Sequence, residues 1–497
     1  MNAAPAEPVA PRLVVTTTRI PDLPDGPGAL VDLLPDTAPL VWVRRGDGIV
    51  GWGEALRLET WGPGRFADAE AAWQEVLGRA QVQDDVRVPG SGAVAFGSFA
   101  FEDSPLGSAS LDEPGDDLPA AGVVIVPRVV VGRRGPDTWL TTLDLLPDLV
   151  PGGSENGPED STEESPRDAP AAVPPADPAR LLDPARRLPV TAPGAVHTRE
   201  GSLSTEDWKT AVETATARIR AGELDKVVLA RDVVATTEHP VDPRHLLGRL
   251  ARSYDACWTF SVDGLVGATP ELLVRSEKGL VTSRVLAGTI RRSGSSEPAG
   301  PAADDDGHDP ALFLARSSKD LEEHEYAVRS VADALAPFCS SMNVPEAPFV
   351  LHLPNVLHLA SDVTGVLRSD PAPPVDTHQH APAERRTPAA GAPSSLALAA
   401  ALHPSAAVCG TPTRAARAVI HDVEGLDRGR YAAPVGWFGA DGDGEWGIAL
   451  RSCEISATDA RTVRLFAGCG IVAASDPSAE LAESEAKLEP MRGALGA

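Results

Sequence analysis

The chain has 497 residues, and its 71 acidic side chains outnumber 44 basic ones, for a formal charge of −27. That balance excludes a nucleic-acid surface, which needs a basic stripe, and docking to an anionic membrane. Apolar residues make up 42% of the chain, enough for a large core of two domains or one two-lobed domain, while 45 Gly and 47 Pro point to polar insertions within it.

In chain order, residues 12–150 read as a folded N-terminal region. Strand-like runs lie at 40–43 and 123–131, with helical spacing at 66–77 between them. The GDGIVGWG run at 46–53 has the look of a phosphate loop. It sits on a hairpin-like turn with no βαβ unit after it, and is read as a turn. Residues 151–196 form a Pro-rich acidic insertion; six acids and one base fall within 151–170. From 197 to 497 the texture is that of a second folded region. A helix is predicted over 208–221, opened by Ser204 or Thr205 with Asp207 in its first turn, then a strand over 226–234. A hairpin pair follows at 259–262 and 265–267, and another strand at 272–275. Two further insertions, about 293–310 and 369–395, flank a helix over 319–335. Strands at 435–438, 446–454 and 463–467 and a helix over 479–488 complete the pattern.

The five cysteines form no C-x-x-C pair, the N-terminus has no basic-then-apolar leader, and no run reaches the ~18 apolar residues of a membrane span. A cytoplasmic protein is expected.

Two acidic helix faces stand out. Asp320 and Glu323 are spaced i, i+3, as are Glu480 and Glu483, with Lys487 on the second stripe. Each alone is most simply a solvated face. Two together could converge as oxygen ligands for Mg²⁺. Lys226 opens the β-branched strand KVVLAR and Glu271 follows Pro270 at a strand edge; ordinarily both are surface residues, and spacing cannot say whether they face one another. Gly468-Cys469-Gly470 would let backbone N–H groups approach an anion, although G-x-G is common in turns. Cys409 and Cys469 read as small core residues. His378-Gln379-His380 lies in a Pro-rich insertion and is not read as a metal site.

The ordered segments KVVLAR (226–231), GATPELLV (267–274), VLAGTIRR (285–292), KDLEEHEYAV (319–328), NVLHLAS (355–361), LHPSAAVCGTP (402–412), YAAPVGWF (431–438), IALRSCEI (448–455) and FAGCGIVAASDPSAELAESEAKLEPM (466–491) resemble the chorismate-utilising enzyme family. The resemblance is greatest to its isochorismate synthases and covers 204–495; VWVRRGDGIVGWGEALRLETWGPGRF extends it toward the N-terminus. It implies an α+β fold of stacked antiparallel sheets with helices packed outside and the site between the lobes. It also implies an isomerase that adds water at carbon 2 of chorismate and expels the carbon-4 hydroxyl. Lys226 stands where the family's ammonia users carry glutamine, which argues against an anthranilate synthase. Ala287 stands where aminodeoxychorismate synthases carry a lysine nucleophile. Salicylate synthases share the lysine and the acid and remain the second reading, with His403-Pro404 and the sequence after His358 favouring isochorismate.

By that resemblance Lys226 is the base and Glu271 the acid. Glu323 and Glu483 would bind Mg²⁺, with Asp320 and Glu480 holding metal-bound water; Asp320 is shorter than the glutamate other members carry. Arg451, Tyr431 and the backbone of Gly468, Cys469 and Gly470 would hold the enolpyruvyl carboxylate. Gly288 and Thr289 would contact the ring carboxylate, Lys487 would offset the acidic cluster, and His358 and His403 would line the pocket. A monomer is expected, and the product's destination, menaquinone or a siderophore, stays open.

Overall fold

The computed structural model describes residues 12–35, 38–103, 120–146, 178–291, 318–352, 354, 356–368 and 391–497. The first part of the chain supplies β1 (Arg12–Arg19), β2 (Leu40–Arg44), β3 (Asp47–Thr60), α1 (Arg65–Gly78), β4 (Gln81–Asp84), β5 (Val94–Phe99), β6 (Gly122–Arg134) and β7 (Asp137–Leu146). The chain then forms α2 (Pro178–Leu181), β8 (Val196–Glu200), α3 (Thr205–Arg220), β9 (Lys226–Thr237), α4 (Pro243–Ser253), β10 (Trp258–Val262), β11 (Leu265–Thr269), β12 (Leu272–Glu277) and β13 (Leu280–Arg291). After α5 (Ser318–Leu335) come β14 (Cys339–Asn343), β15 (Phe349–His352), β16 (Val356–Leu367), α6 (Ser395–Leu402), β17 (Gly410–Thr411) and α7 (Thr413–Val423). The last elements are β18 (Pro434–Gly439), β19 (Gly444–Ile448), β20 (Ser452–Ile455), β21 (Thr462–Ile471) and α8 (Pro477–Leu495).

Among the described residues, the 21 strands form one hydrogen-bonded network, antiparallel except where β1 runs parallel to β4. This is an α+β fold. Its stacked layers are parts of one curled sheet, and the N-terminal strands are woven into it: β2 pairs with β10, and β5 with β18. Strand alternation explains the two cores. Trp42 of β2 enters a cluster with Trp73, Phe96, Phe99 and Trp446, whereas its neighbours Val41 and Val43 enter a second with Leu247, Leu250 and Met491. A strand buried on both faces reads as a continuous apolar run, which is why LVWV was legible.

Three elements depart from expectation. The strand expected over 446–454 is two strands, β19 and β20, because Arg451 adopts a left-handed backbone (φ 50°) that turns the chain between them. The strand expected to stop at 467 runs on as β21 to Ile471, so the Gly468–Gly470 segment is strand rather than turn. The last helix continues past 488, through Pro490, to Leu495. A proline inside a helix removes one N–H bond, but Leu488, Met491, Ala494 and Leu495 are buried there, and burial at ~1.5–3 kcal/mol per large apolar side chain offsets it. Asp476 caps that helix by accepting from the N–H groups of Ser478 and Ala479, and Pro477 occupies its first turn. Ser204 caps α3 by accepting from Asp207 N–H, as its position suggested. Residues 178–186, assigned to the Pro-rich insertion, form α2 and a short 3₁₀ turn over Pro184–Arg186. The insertions at 293–310 and 369–390 and the histidines of 378–380 lie outside the described residues.

Candidate active site

A pocket opens where the start of β9, the β11–β12 junction, the β19–β20 turn, the end of β21 and the middle of α8 meet. Glu271 is on its wall, only 5% exposed, and Lys226 is 1% exposed at the first position of β9. Neither is the surface residue that its sequence setting suggested. Burial raises the Glu271 carboxyl to about 8, against the opposing pull of Lys226, of the Leu286 N–H, and of Lys487 and Arg451. Glu271 is therefore mostly protonated at neutral pH while lying within the field of a buried lysine.

Arg451 reaches the pocket from the turn between β19 and β20. Its guanidinium donates to His358 Nε2 at 3.0 Å, which requires His358 to be neutral with its proton on Nδ1. Burial lowers the Arg451 pKa, and among the described residues no carboxylate lies at ion-pair distance from it. Tyr431 stacks on Phe466 with ring centres 5.0 Å apart, and burial raises its hydroxyl to about 12, leaving it a protonated donor. A side chain at position 468 would come within 3.1 Å of the Leu229 carbonyl and 3.4 Å of the Tyr431 hydroxyl, so glycine there keeps the wall open. Lys487 donates to the Gly468 carbonyl at 2.9 Å and pairs with Glu483 at 2.6 Å. Burial alone would lower its pKa, but Glu483 overrides this and keeps it cationic.

The structure thus brings Glu271, His358, Tyr431, Arg451, Gly468, Gly470, Glu483 and Lys487 onto one pocket, with Lys226 behind the wall. One expected residue lies elsewhere. His403 does not line the pocket: it is buried between Phe66 and Phe101, and its Nε2 is 3.0 Å from the Phe101 carbonyl oxygen. Burial drops its pKa to about 3, so it stays neutral and serves packing. The Cys469 side chain points to the other face of β21, as strand alternation demands between two pocket-facing glycines, and its thiol donates to the Glu480 carbonyl at 3.2 Å. Gly288 falls at a register shift of β13, and Thr289 is paired in register with His358. The Thr289, Asp320 and Glu323 side chains lie outside the described residues. The sequence reading missed Arg428, which lines the pocket, and its partner Glu424. They precede Tyr431 by three and seven positions, and nothing in EGLDRGRY marks them as buried.

Ligating atoms of Cys469, Glu480 and Glu483 lie within 4.8 Å of one another. Glu480 is 3% exposed, so this stripe is not the solvated face that spacing alone favoured. Two carboxylates beside a pocket are the hard oxygen donors Mg²⁺ takes; the thiol, a soft donor, is occupied by the helix carbonyl.

The model of the chorismate binding enzyme family matches residues 40–496. The chain belongs to the chorismate binding enzymes. Within that family it is 39% identical over 302 residues to isochorismate synthase DhbC of Bacillus subtilis, an alignment covering 59% of this chain and 68% of that one. A crystal structure of a putative 2,3-dihydroxybenzoate-specific isochorismate synthase, DhbC from Bacillus anthracis, aligns with 95% of this chain and 99% of its own at a TM-score of 0.64 and 26% identity. The menaquinone-specific isochorismate synthase MenF of Escherichia coli aligns with 98% of this chain and 95% of its own at a TM-score of 0.66; at 22% identity it speaks to the fold of this chorismate binding enzyme alone. Among the described residues, no helix is long and apolar enough to cross a membrane.

Proposed function

We propose that this chorismate binding enzyme is an isochorismate synthase, an isomerase that moves the ring hydroxyl of chorismate from carbon 4 to carbon 2. The observation that carries the reading is a buried, protonated Glu271 on the pocket wall with the buried Lys226 close enough behind it to act on its carboxyl. Lys226, as the base, takes a proton from water as the oxygen bonds to carbon 2. The ring double bonds shift, and the carbon–oxygen bond at carbon 4 breaks as Glu271 gives its proton to the departing hydroxyl. One water enters and one leaves, so the net change is isomerisation. Arg451 and Tyr431 hold a substrate carboxylate, with the nearby β21 backbone left accessible by Gly468 and Gly470.

Mg²⁺ dependence is part of the proposal. By the family resemblance Glu323 and Glu483 would bind the ion and Asp320 and Glu480 would hold its water; the closeness of the buried Glu480 to the half-buried Glu483 supports this reading. When bound, the ion supplies positive charge for the ring carboxylate. A monomer, as the family resemblance implies, and a cytoplasmic setting are part of the proposal; the free cysteines among the described residues support the second.

Incubation with chorismate and Mg²⁺, followed by chromatographic identification of the product, tests the reading. Isochorismate is expected from the native chain and none from Lys226→Ala with an unchanged circular dichroism spectrum. Salicylate with pyruvate would instead make the chain a salicylate synthase, and near-native turnover by Lys226→Ala would remove the lysine from the role of base.

A further inference from the structure

Strand β9 reaches the pocket with a gap in one edge of its ladder. Along its other edge it pairs with β21 from Val227 to Thr236. On the gapped edge, β17 accompanies Lys226 and Val227, and the Val228 N–H donates to the Cys409 carbonyl at 2.8 Å. Strand β8 takes up that edge only at Val233. Between the two, the Val228 carbonyl and both backbone groups of Ala230 face no strand. Buried backbone polar groups must find partners, and here side chains supply them. The Ala230 N–H donates to Glu424 Oε2 at 2.8 Å, and the Trp208 indole donates to the Ala230 carbonyl at 3.1 Å. Arg428 donates to the Val228 carbonyl at 2.8 Å.

Glu424 and Arg428 are themselves a forked ion pair, joined by bonds of 2.7 and 2.6 Å and exposed by only 1% and 3%. Arg428 also donates to the Val408 carbonyl at 2.8 Å, and its plane lies over Phe101, 4.2 Å from the ring centre. Phe101 is in turn held edge-on by His403. Desolvating such a pair is costly unless nearly every donor and acceptor is used, and four of the five Arg428 N–H groups are. Arg428 lines the pocket beside Val228, Ala230 and Val408, the residues whose backbone the pair fastens. Its charge is matched by Glu424, unlike that of Arg451, so it is poorly suited to receive a substrate carboxylate.

We propose that Glu424 and Arg428 are positioning residues: they stand in for the missing strand, tie β9 to the Val408 loop, and so fix the pocket wall and the seat of Lys226. The proposal deepens the isochorismate synthase reading and rests on it for its kinetic arm. It also explains why His403, outside the pocket, is packed where it is, since it buttresses the ring under Arg428.

The test combines steady-state kinetics on chorismate with hydrogen exchange of the 226–231 segment in Glu424→Gln, Arg428→Lys and Trp208→Phe, each compared by thermal unfolding. Glutamine can still accept from Ala230 but leaves Arg428 unpaired; lysine cannot reach Glu424 twice and two carbonyls besides. Small misplacements of reacting groups cost about a hundredfold in rate, so kcat should fall by about that factor in both charge variants, with KM within about threefold and faster exchange at 226–231. Trp208→Phe removes one neutral bond on the same edge and should lower kcat by about fivefold, which keeps the proposal testable if the charge variants do not fold. Native kcat in folded variants would overturn the proposal. So would a raised KM at unchanged kcat in Arg428→Lys, which would make Arg428 a substrate receptor. If the native chain left chorismate untouched, the functional reading would fail, and unchanged exchange at 226–231 in Glu424→Gln would separately overturn the positioning role.

Discussion

A single carboxyl shows how function and stability oppose one another in this pocket. Glu271 titrates near 8 when folded, against an ordinary carboxylate value of 4.5. Its folded pKa is raised, so its contribution to stability is fully present below about 4.5 and is lost as pH climbs through about 8. Over that window the unfolded chain ionises freely while the folded one must keep a proton. Glu271→Gln cannot ionise in either state. It should therefore unfold at a higher temperature than the native chain at pH 8, and the difference should shrink toward zero near pH 4.5, as read by calorimetry at the two pH values. The same variant should lose turnover, since the amide cannot protonate a leaving hydroxyl. The native kcat/KM should fall above about pH 8 as the acid loses its proton. An equal melting difference at both pH values would show that the carboxyl is not held protonated by burial.

Elements position these groups through departures from regularity, and those departures were the least legible part of the sequence. The segment IALRSCEI alternates and reads as one strand, yet Arg451 breaks it with φ 50°, and that break directs the guanidinium into the pocket beside His358. A left-handed arginine is strained, and local pattern does not announce it. Arg451→Gly should relieve the strain and leave the melting temperature close to native, while raising KM for chorismate by about 10- to 100-fold, the value of a hydrogen-bonded charge pair. A native KM would remove Arg451 from substrate binding. By contrast, β-branched runs such as KVVLAR and the capped start of α3 were readable, because their signals are local. That Lys226 and Glu271 share a site as base and acid came from family resemblance, since a lysine at a strand start and a glutamate after proline are surface residues by default. Glu424 and Arg428 gave no signal: what buries them is a gap in a ladder whose neighbours lie tens of residues away in sequence.

At the scale of the whole molecule, the charge of −27 and the anionic substrate are reconciled by where the charges lie. The two acidic insertions at 151–170 and 293–310 carry six and five acids against a single base, whereas the pocket gathers Arg451 and Lys487 around a neutral Glu271. That pocket depends on strands from both ends of the chain. Val41–Val43 pair with Thr259–Ser261, and Val94–Ser98 with Val435–Gly439. Phe99 packs 5.8 Å from Trp446, and Trp73 5.8 Å from Phe438. A fragment of 197–497 would retain every proposed catalytic residue but would expose two unpaired strand edges and the apolar face that Trp42, Trp73, Phe96 and Phe99 cover. Exposed edges beside a large apolar patch drive association. The fragment should therefore partition into the insoluble fraction on expression, and co-expression with 1–150 should return it to solution with activity toward chorismate. A soluble fragment with a cooperative thermal transition of its own would show that the catalytic half folds without its N-terminal strands, and that the woven sheet is not what holds the pocket in shape.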